Sequence, residues 1–209
     1  MTKALILFSL DSLPTTITAL GGDAIAKALT QKGVEVFQLD VWKCASPLLA
    51  LQNMINKPDL LVYLGHGAND RLYGQLPGGL VVPLVEVLTK ELLRDTIAVA
   101  YACESGRELG PQAPSRAYFG SIEPYYVALT YPEHDFMSDF FETWKTIPQA
   151  LVEGKTAGEA LSLYVSKCTD YINLYGQHLN DWQGAEEFQR FLTQNRDSFR
   201  LFGDAGAKL

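Results

Sequence analysis

Residues 60–67 read LLVYLGHG and residues 96–106 read TIAVAYACESG. Each carries a short unbroken apolar run that ends at a reactive side chain and closes on glycine: His66 directly before Gly67 in the first, Cys103 three residues before Gly106 in the second. Neither shows the polar alternation of a strand with one wet face, so both read as strands buried on both faces, Leu60–Leu64 and Thr96–Ala102. Working outward, residues 4–10 and the VEVFQL of 34–39 are of the same kind. Between these two lies Ile17–Leu29, with Leu20, Ala24, Ala28 and Ile25, Leu29 at helical spacing and Gly33 where a helix should stop. Strands of this type alternating with helices predict an α/β protein: an open, three-layer, mostly parallel sheet with helices on both faces.

The remaining elements are expected as follows. A short helix occupies Pro47–Ile55, a Gly- and Asn-containing loop Gly65–Gly79, and a helix Val85–Leu93. After a Pro-containing loop at Gly110–Pro114, a fifth strand is expected at Tyr125–Leu129 and a helix from about Glu133 to Val152, ended by Gly154. Thr156 with Glu159 three residues on has the spacing of a capping box for a helix Thr156–Leu174. Asp181–Arg196 is polar and helix-compatible, and Phe199–Phe202 reads as a last edge strand closed by Gly203-Asp204. No linker, repeat or low-complexity stretch divides the chain, so residues 1–209 are expected to be a single domain.

Composition narrows the function. The chain of 209 residues has 17 Lys plus Arg against 24 Asp plus Glu, a formal charge of −7, without a basic cluster to neutralise phosphates. Nucleic acid is therefore not an expected partner. Hydrophobic residues at 47% exclude intrinsic disorder, and no run approaches the roughly 18 apolar residues of a membrane span. The apolar start Ala4–Phe8 follows a single Lys and stops at Asp11, which reads as a strand and not as a signal-peptide core. Three widely spaced cysteines, Cys44, Cys103 and Cys168, suggest neither a disulfide framework nor a zinc site, and a cytoplasmic location fits.

In an open parallel sheet ligands bind beyond the carboxyl ends of the strands. That rule puts the imidazole of His66 and the thiol of Cys103 on one rim. A cysteine nucleophile acts as its thiolate, and a nearby imidazole can hold the proton. Gly67 permits close approach of backbone, and its N–H together with that of Cys103 could bind a developing oxyanion. A lone strand-end cysteine is more commonly a small core residue and a lone loop histidine a solvated one, so it is the pairing that carries the argument.

A strand ending in His-Gly, followed by an apolar strand ending in Ala-Cys-x-Ser-Gly, resembles the caspase-like cysteine peptidases, and Leu60–Gly67 and Ala98–Gly106 look most like their CHAT, gingipain-like and metacaspase-like branches. Leu201-Phe202-Gly203-Asp204 is similar to a strand-and-GD ending seen there. The resemblance implies a caspase-like (flavodoxin-like) fold and an endopeptidase with His66 as general base and Cys103 as nucleophile, acting on protein or peptide without cofactor or metal. Glu104 stands where the caspase pentapeptide has Arg or Gln, so aspartate specificity does not carry over.

Other residues have plainer readings. Cys44 lies after a strand without a glycine turn and reads as buried packing, Cys168 as helix core, His134 as a first-turn helix residue and His178 as a loop residue. A metal site from Cys44, His66, Cys103 and His134 has no ligand spacing behind it. Asp70 and Glu123 are loop carboxylates that could line a pocket for a basic side chain, although most such groups only face water. Two rivals stand beside the peptidase: a caspase-like module that binds or signals without catalysis, and a flavodoxin-like binding domain. Against the second, residues 11–16 (DSLPTT) offer hydroxyls but no glycine-rich phosphate loop.

Overall fold

The computed structural model describes residues 1–9, 13–40, 57–75, 81–86 and 88–209. The expected helix at 47–55, Cys44 and residues 11–12 lie outside them. A six-stranded sheet has the order β2-β1-β3-β7-β8-β9, with β1 at Lys3–Phe8, β2 at Glu35–Asp40, β3 at Leu60–Leu64, β7 at Ile97–Tyr101, β8 at Ala117–Ser121 and β9 at Phe199–Gly203. The first five are parallel, and β9 runs antiparallel along β8. Every residue of β3, β7 and β8 is buried, as unbroken apolar runs require when both faces are covered.

The side-chain alternation of the strands divides the core. One face presents Ile6, Val62, Val99 and Phe119 to four long helices: α1 (Leu13–Thr30), α3 (Phe136–Val152), α4 (Ala157–Gln177) and α5 (Ala185–Ser198). Trp144 of α3 is fully buried there and stacks on Tyr101, whose hydroxyl donates to the Trp144 carbonyl at 2.7 Å, so a buried phenol is satisfied at the sheet–helix joint. The other face presents Leu61, Ala98, Ala100 and Tyr118. Among the described residues, a small antiparallel sheet of β4 (Gly67–Ala68), β5 (Arg71–Gln75) and β6 (Val81–Glu86), a 3-10 turn at Lys90–Leu93 and the single-turn helix α2 at Leu109–Gln112 pack towards it. Helices of the described residues thus lie on both faces.

Several boundaries follow local chemistry. Asp135 caps α3, accepting from the Ser138 N–H at 3.1 Å. The Thr156–Glu159 capping box forms in both directions, at 3.2 and 2.8 Å. Two expectations are corrected. Val85–Leu93 is not a helix: residues 81–86 pair with β5, since VVPLVE is rich in β-branched residues and an antiparallel partner lies beside it. The fifth parallel strand is Ala117–Ser121, and Tyr125–Leu129 joins no sheet, because Tyr126 bonds to the Asn195 side chain instead of a neighbouring strand.

Candidate active site

Strands β3 and β7 are parallel neighbours in the register Leu64↔Tyr101, so both end on the same rim. The ladder continues one rung, the Gly65 N–H donating to the Tyr101 carbonyl at 3.4 Å. One position later His66 and Cys103 leave the sheet together. A Cβ on Gly67 would lie 2.7 Å from the Cys103 carbonyl oxygen and 2.9 Å from the Ala102 Cβ, so only glycine lets this turn close against the cysteine backbone.

Two ties hold the halves of the rim. The buried Tyr63 hydroxyl contacts the carbonyls of His66 and Tyr73 at 2.7 and 2.8 Å, while the Tyr73 N–H donates to His66 at 3.1 Å, fixing the turn's backbone and leaving the imidazole exposed. On the far side of the hairpin the Asn69 carbonyl accepts from the Glu108 and Leu109 N–H groups at 2.9 and 3.1 Å, joining the histidine turn to the segment after Cys103.

Cys103 is half-buried. It is followed by Glu104 at φ 53°, a left-handed residue other than glycine, which turns the chain sharply after the strand. The turn is pinned by Ser105 Oγ donating to the Ala102 carbonyl at 3.2 Å, Gly106 N–H to Ser121 at 2.8 Å and Glu104 N–H to Glu123 at 3.1 Å. No backbone carbonyl among the described residues accepts from the Cys103 N–H. The thiol faces the segment after β8: Sγ accepts from the Tyr125 N–H at 3.4 Å and lies 3.8 Å from the Tyr125 carbonyl oxygen. Arg107 spans the two walls, 3.1 Å from Glu104 and 3.0 Å from Glu123.

The other sequence candidates are placed as follows. Glu123 lies in the wall beside Cys103 and is paired with Arg107. Asp70 sits in the β4–β5 turn, where hydrogen bonding to the Arg71 guanidinium holds its carboxyl below the usual range. Cys168 is buried in α4, and burial pushes its thiol up to about 12. His134 precedes the α3 cap instead of lying in its first turn; it pairs with Asp139 at 2.5 Å and stacks on Trp182 at 4.0 Å. His178, at the end of α4, covers the opposite face of the same indole at 3.9 Å. Among the described residues no group of three His, Cys, Asp or Glu is placed to hold a metal ion, and no helix is long and apolar enough to cross a membrane. Tyr63, Arg107 and Asn195, which shape the rim, were not singled out by sequence; only Tyr63, a phenol inside an apolar strand three residues before the histidine, carried a local signal.

No family model matches the chain, and no curated protein does. Solved structures do. Gingipain R, an Arg-specific cysteine proteinase, matches with a TM-score of 0.64 at 14% identity, over 99% of this chain and 47% of that one. The complex of the pro- and mature domains of RgpB from Porphyromonas gingivalis matches with a TM-score of 0.56 at 13% identity, over 98% of this chain and 47% of that one. The chain thus spans about half the length of these structures. The likeness is one of fold: the mostly parallel α/β sheet with its helices is that of these gingipain structures.

Proposed function

We propose that this chain is a caspase-like cysteine endopeptidase, a single domain over residues 1–209, with Cys103 as nucleophile and His66 as its acid–base partner. The supporting observation is the packing of Gly67 against the Cys103 backbone, which sets the two reactive residues at the ends of adjacent parallel strands. In the reaction the Cys103 sulfur attacks the peptide carbonyl carbon, and His66 carries the thiol proton to the departing amine as the C–N bond breaks. Water, deprotonated by His66, then attacks the thioester; the acid departs and the proton returns to sulfur. The N–H groups of Gly67 and Cys103 are the proposed donors to the oxyanion in both steps. No metal or organic cofactor takes part.

The substrate is a protein or peptide. The arginine specificity of gingipain R is not carried over, since the carboxylates flanking Cys103, Glu104 and Glu123, are both engaged by Arg107. Asp70 is likewise met by Arg71. Within the superfamily the His-Gly and Ala-Cys-x-Ser-Gly strand ends favour the gingipain-like or CHAT branches, and the acidic chain with three cysteines favours the cytoplasm. The second reading, a module that binds without cleaving, draws support from the contact between Tyr125 and the thiol. Cys103→Ala should abolish hydrolysis of a fluorogenic peptide library and labelling by a peptidyl electrophile while leaving the circular dichroism spectrum unchanged. Turnover by that variant overturns the assignment; an unlabelled, inactive but folded wild type selects the binding module.

A further inference from the structure

We infer that Asn195, on a helix remote in sequence from the catalytic strands, is a positioning residue for the Cys103 site. The inference rests on the peptidase reading for its meaning, though not for its test. The wall facing the thiol is the segment after β8, which pairs with no strand among the described residues, so its backbone groups must find partners elsewhere. One residue beyond the Tyr125 N–H that meets Sγ, Tyr126 is gripped at both polar atoms. Its N–H donates to Asn195 Oδ1 at 2.8 Å, and its carbonyl accepts from Asn195 Nδ2 at 2.8 Å. Asn195 is fully buried, so the carboxamide substitutes for a missing strand.

The same face of α5 supplies two more holds. Phe191, one turn before, stacks flat on the Tyr126 ring at 4.5 Å. Ser198, nearly one turn after, meets the Ser121 hydroxyl at 2.8 Å, and its carbonyl accepts from the Ile122 N–H at 3.0 Å. Residues 191, 195 and 198 recur at the spacing of one helix face, all directed at the wall. A carboxamide can donate and accept at once, and an ionised carboxylate cannot. This distinction makes the role testable.

Asn195→Asp is nearly isosteric. Protonated, its carboxyl reproduces both bonds; ionised, it sets an oxygen anion against the Tyr126 carbonyl and frees the wall. Burial favours the neutral form, which holds the new group up from the usual carboxylate range. The experiment measures iodoacetamide alkylation of Cys103 and of Cys168 by mass spectrometry from pH 5 to 8, as the ratio of variant to wild type, alongside peptide kcat and KM. At pH 5 the Cys103 ratio should be close to one. By pH 8 it should rise by about tenfold, the size expected for losing one buried hydrogen-bonded contact, while kcat falls, KM holds and Cys168 stays inert. Asn195→Ala should show its change at every pH. An Asn195→Asp protein that follows the wild type throughout, or that copies Asn195→Ala throughout, overturns the inference. Should that variant fail to fold, hydrogen exchange on the wild type decides: the Tyr126 amide should be protected, and exchange at the rate of an open loop overturns it. A wild type that cleaves nothing defeats the peptidase reading, while the Cys103 ratios still decide the role of Asn195.

Discussion

Replacing Gly67 by alanine tests the contact on which the site geometry depends. The added methyl would lie 2.7 Å from the Cys103 carbonyl oxygen and 2.9 Å from the Ala102 Cβ. Comfortable contacts between such atoms are about 3.5 Å, so the turn and the cysteine strand must part by roughly 0.6–0.8 Å. Neither neighbour can swing away, one being backbone and the other a Cβ. Overpacking of this kind costs about 1–3 kcal/mol, and at roughly 2–4 °C per kcal/mol for a chain of this size the melting temperature should fall by about 2–12 °C. On the peptidase reading the chemical effect should be larger, because a displacement approaching 1 Å between reacting groups can cost about 100-fold in rate. Gly22→Ala is the matched control: its nearest contact is the Phe8 ring at 3.4 Å, and within α1 the methyl should be neutral or stabilise by up to about 1 kcal/mol. Thermal melts and kcat/KM on the two variants make the comparison. A Gly67→Ala protein that melts and turns over like the wild type would refute the claim that this contact sets the spacing of His66 and Cys103.

Three further outcomes are expected. Thr156→Ala removes the acceptor for the Glu159 N–H and should lower stability by about 1 kcal/mol, read as a shift in the urea midpoint at constant m. In native protein at neutral pH, Cys168 should resist iodoacetamide for hours, since burial has pushed its thiol up to about 12, and should react once urea unfolds the chain. Burial raises the Asp139 carboxyl above its ordinary 3.8 despite the hydrogen bond from His134, so the folded state binds the proton more tightly than the unfolded one. Its contribution to stability is then greatest below about pH 4 and is lost as pH rises towards the raised folded value. Urea midpoints of wild type and Asp139→Asn compared from pH 4 upward should show the wild type losing ground over that window; a constant difference would exclude it.

Much of this architecture was legible because it is local. Leu60–Leu64 and the run ending at Tyr101 announce themselves as strands buried on both faces, Gly33 and Gly154 stop helices at φ values of 78° and 83°, and Thr156 with Glu159 marks a helix start at the right residue. The strand-end positions of His66 and Cys103 followed directly. What misled was pairing that no local pattern records. Residues 81–86 become a strand because Arg71–Gln75 is available as a partner, although Val85 and the leucines at 88 and 92 fall close to helical spacing. The aromatic stretch at Tyr125 looked like a strand yet found its partner in a carboxamide 69 positions away. A polar asparagine in an amphipathic helix gives no sign of what its amide will hold.

The order of elements along the chain also has a meaning in time. Helix α5 and β9 are made well after the strands that carry His66 and Cys103, yet Asn195 grips the wall at Tyr126, and β9 pairs Phe199 with Ser121. A ribosome will have delivered both His66 and Cys103 well before either fastening exists, and long-range pairing of this kind is slow to form. On the peptidase reading, the growing chain carries its nucleophile for a time without the wall that completes the site, so competence waits for α5 and β9. On that reading the topology builds in a delay between having the reactive residues and being able to use them, an interval in which a new hydrolase could not attack its own unfolded neighbours.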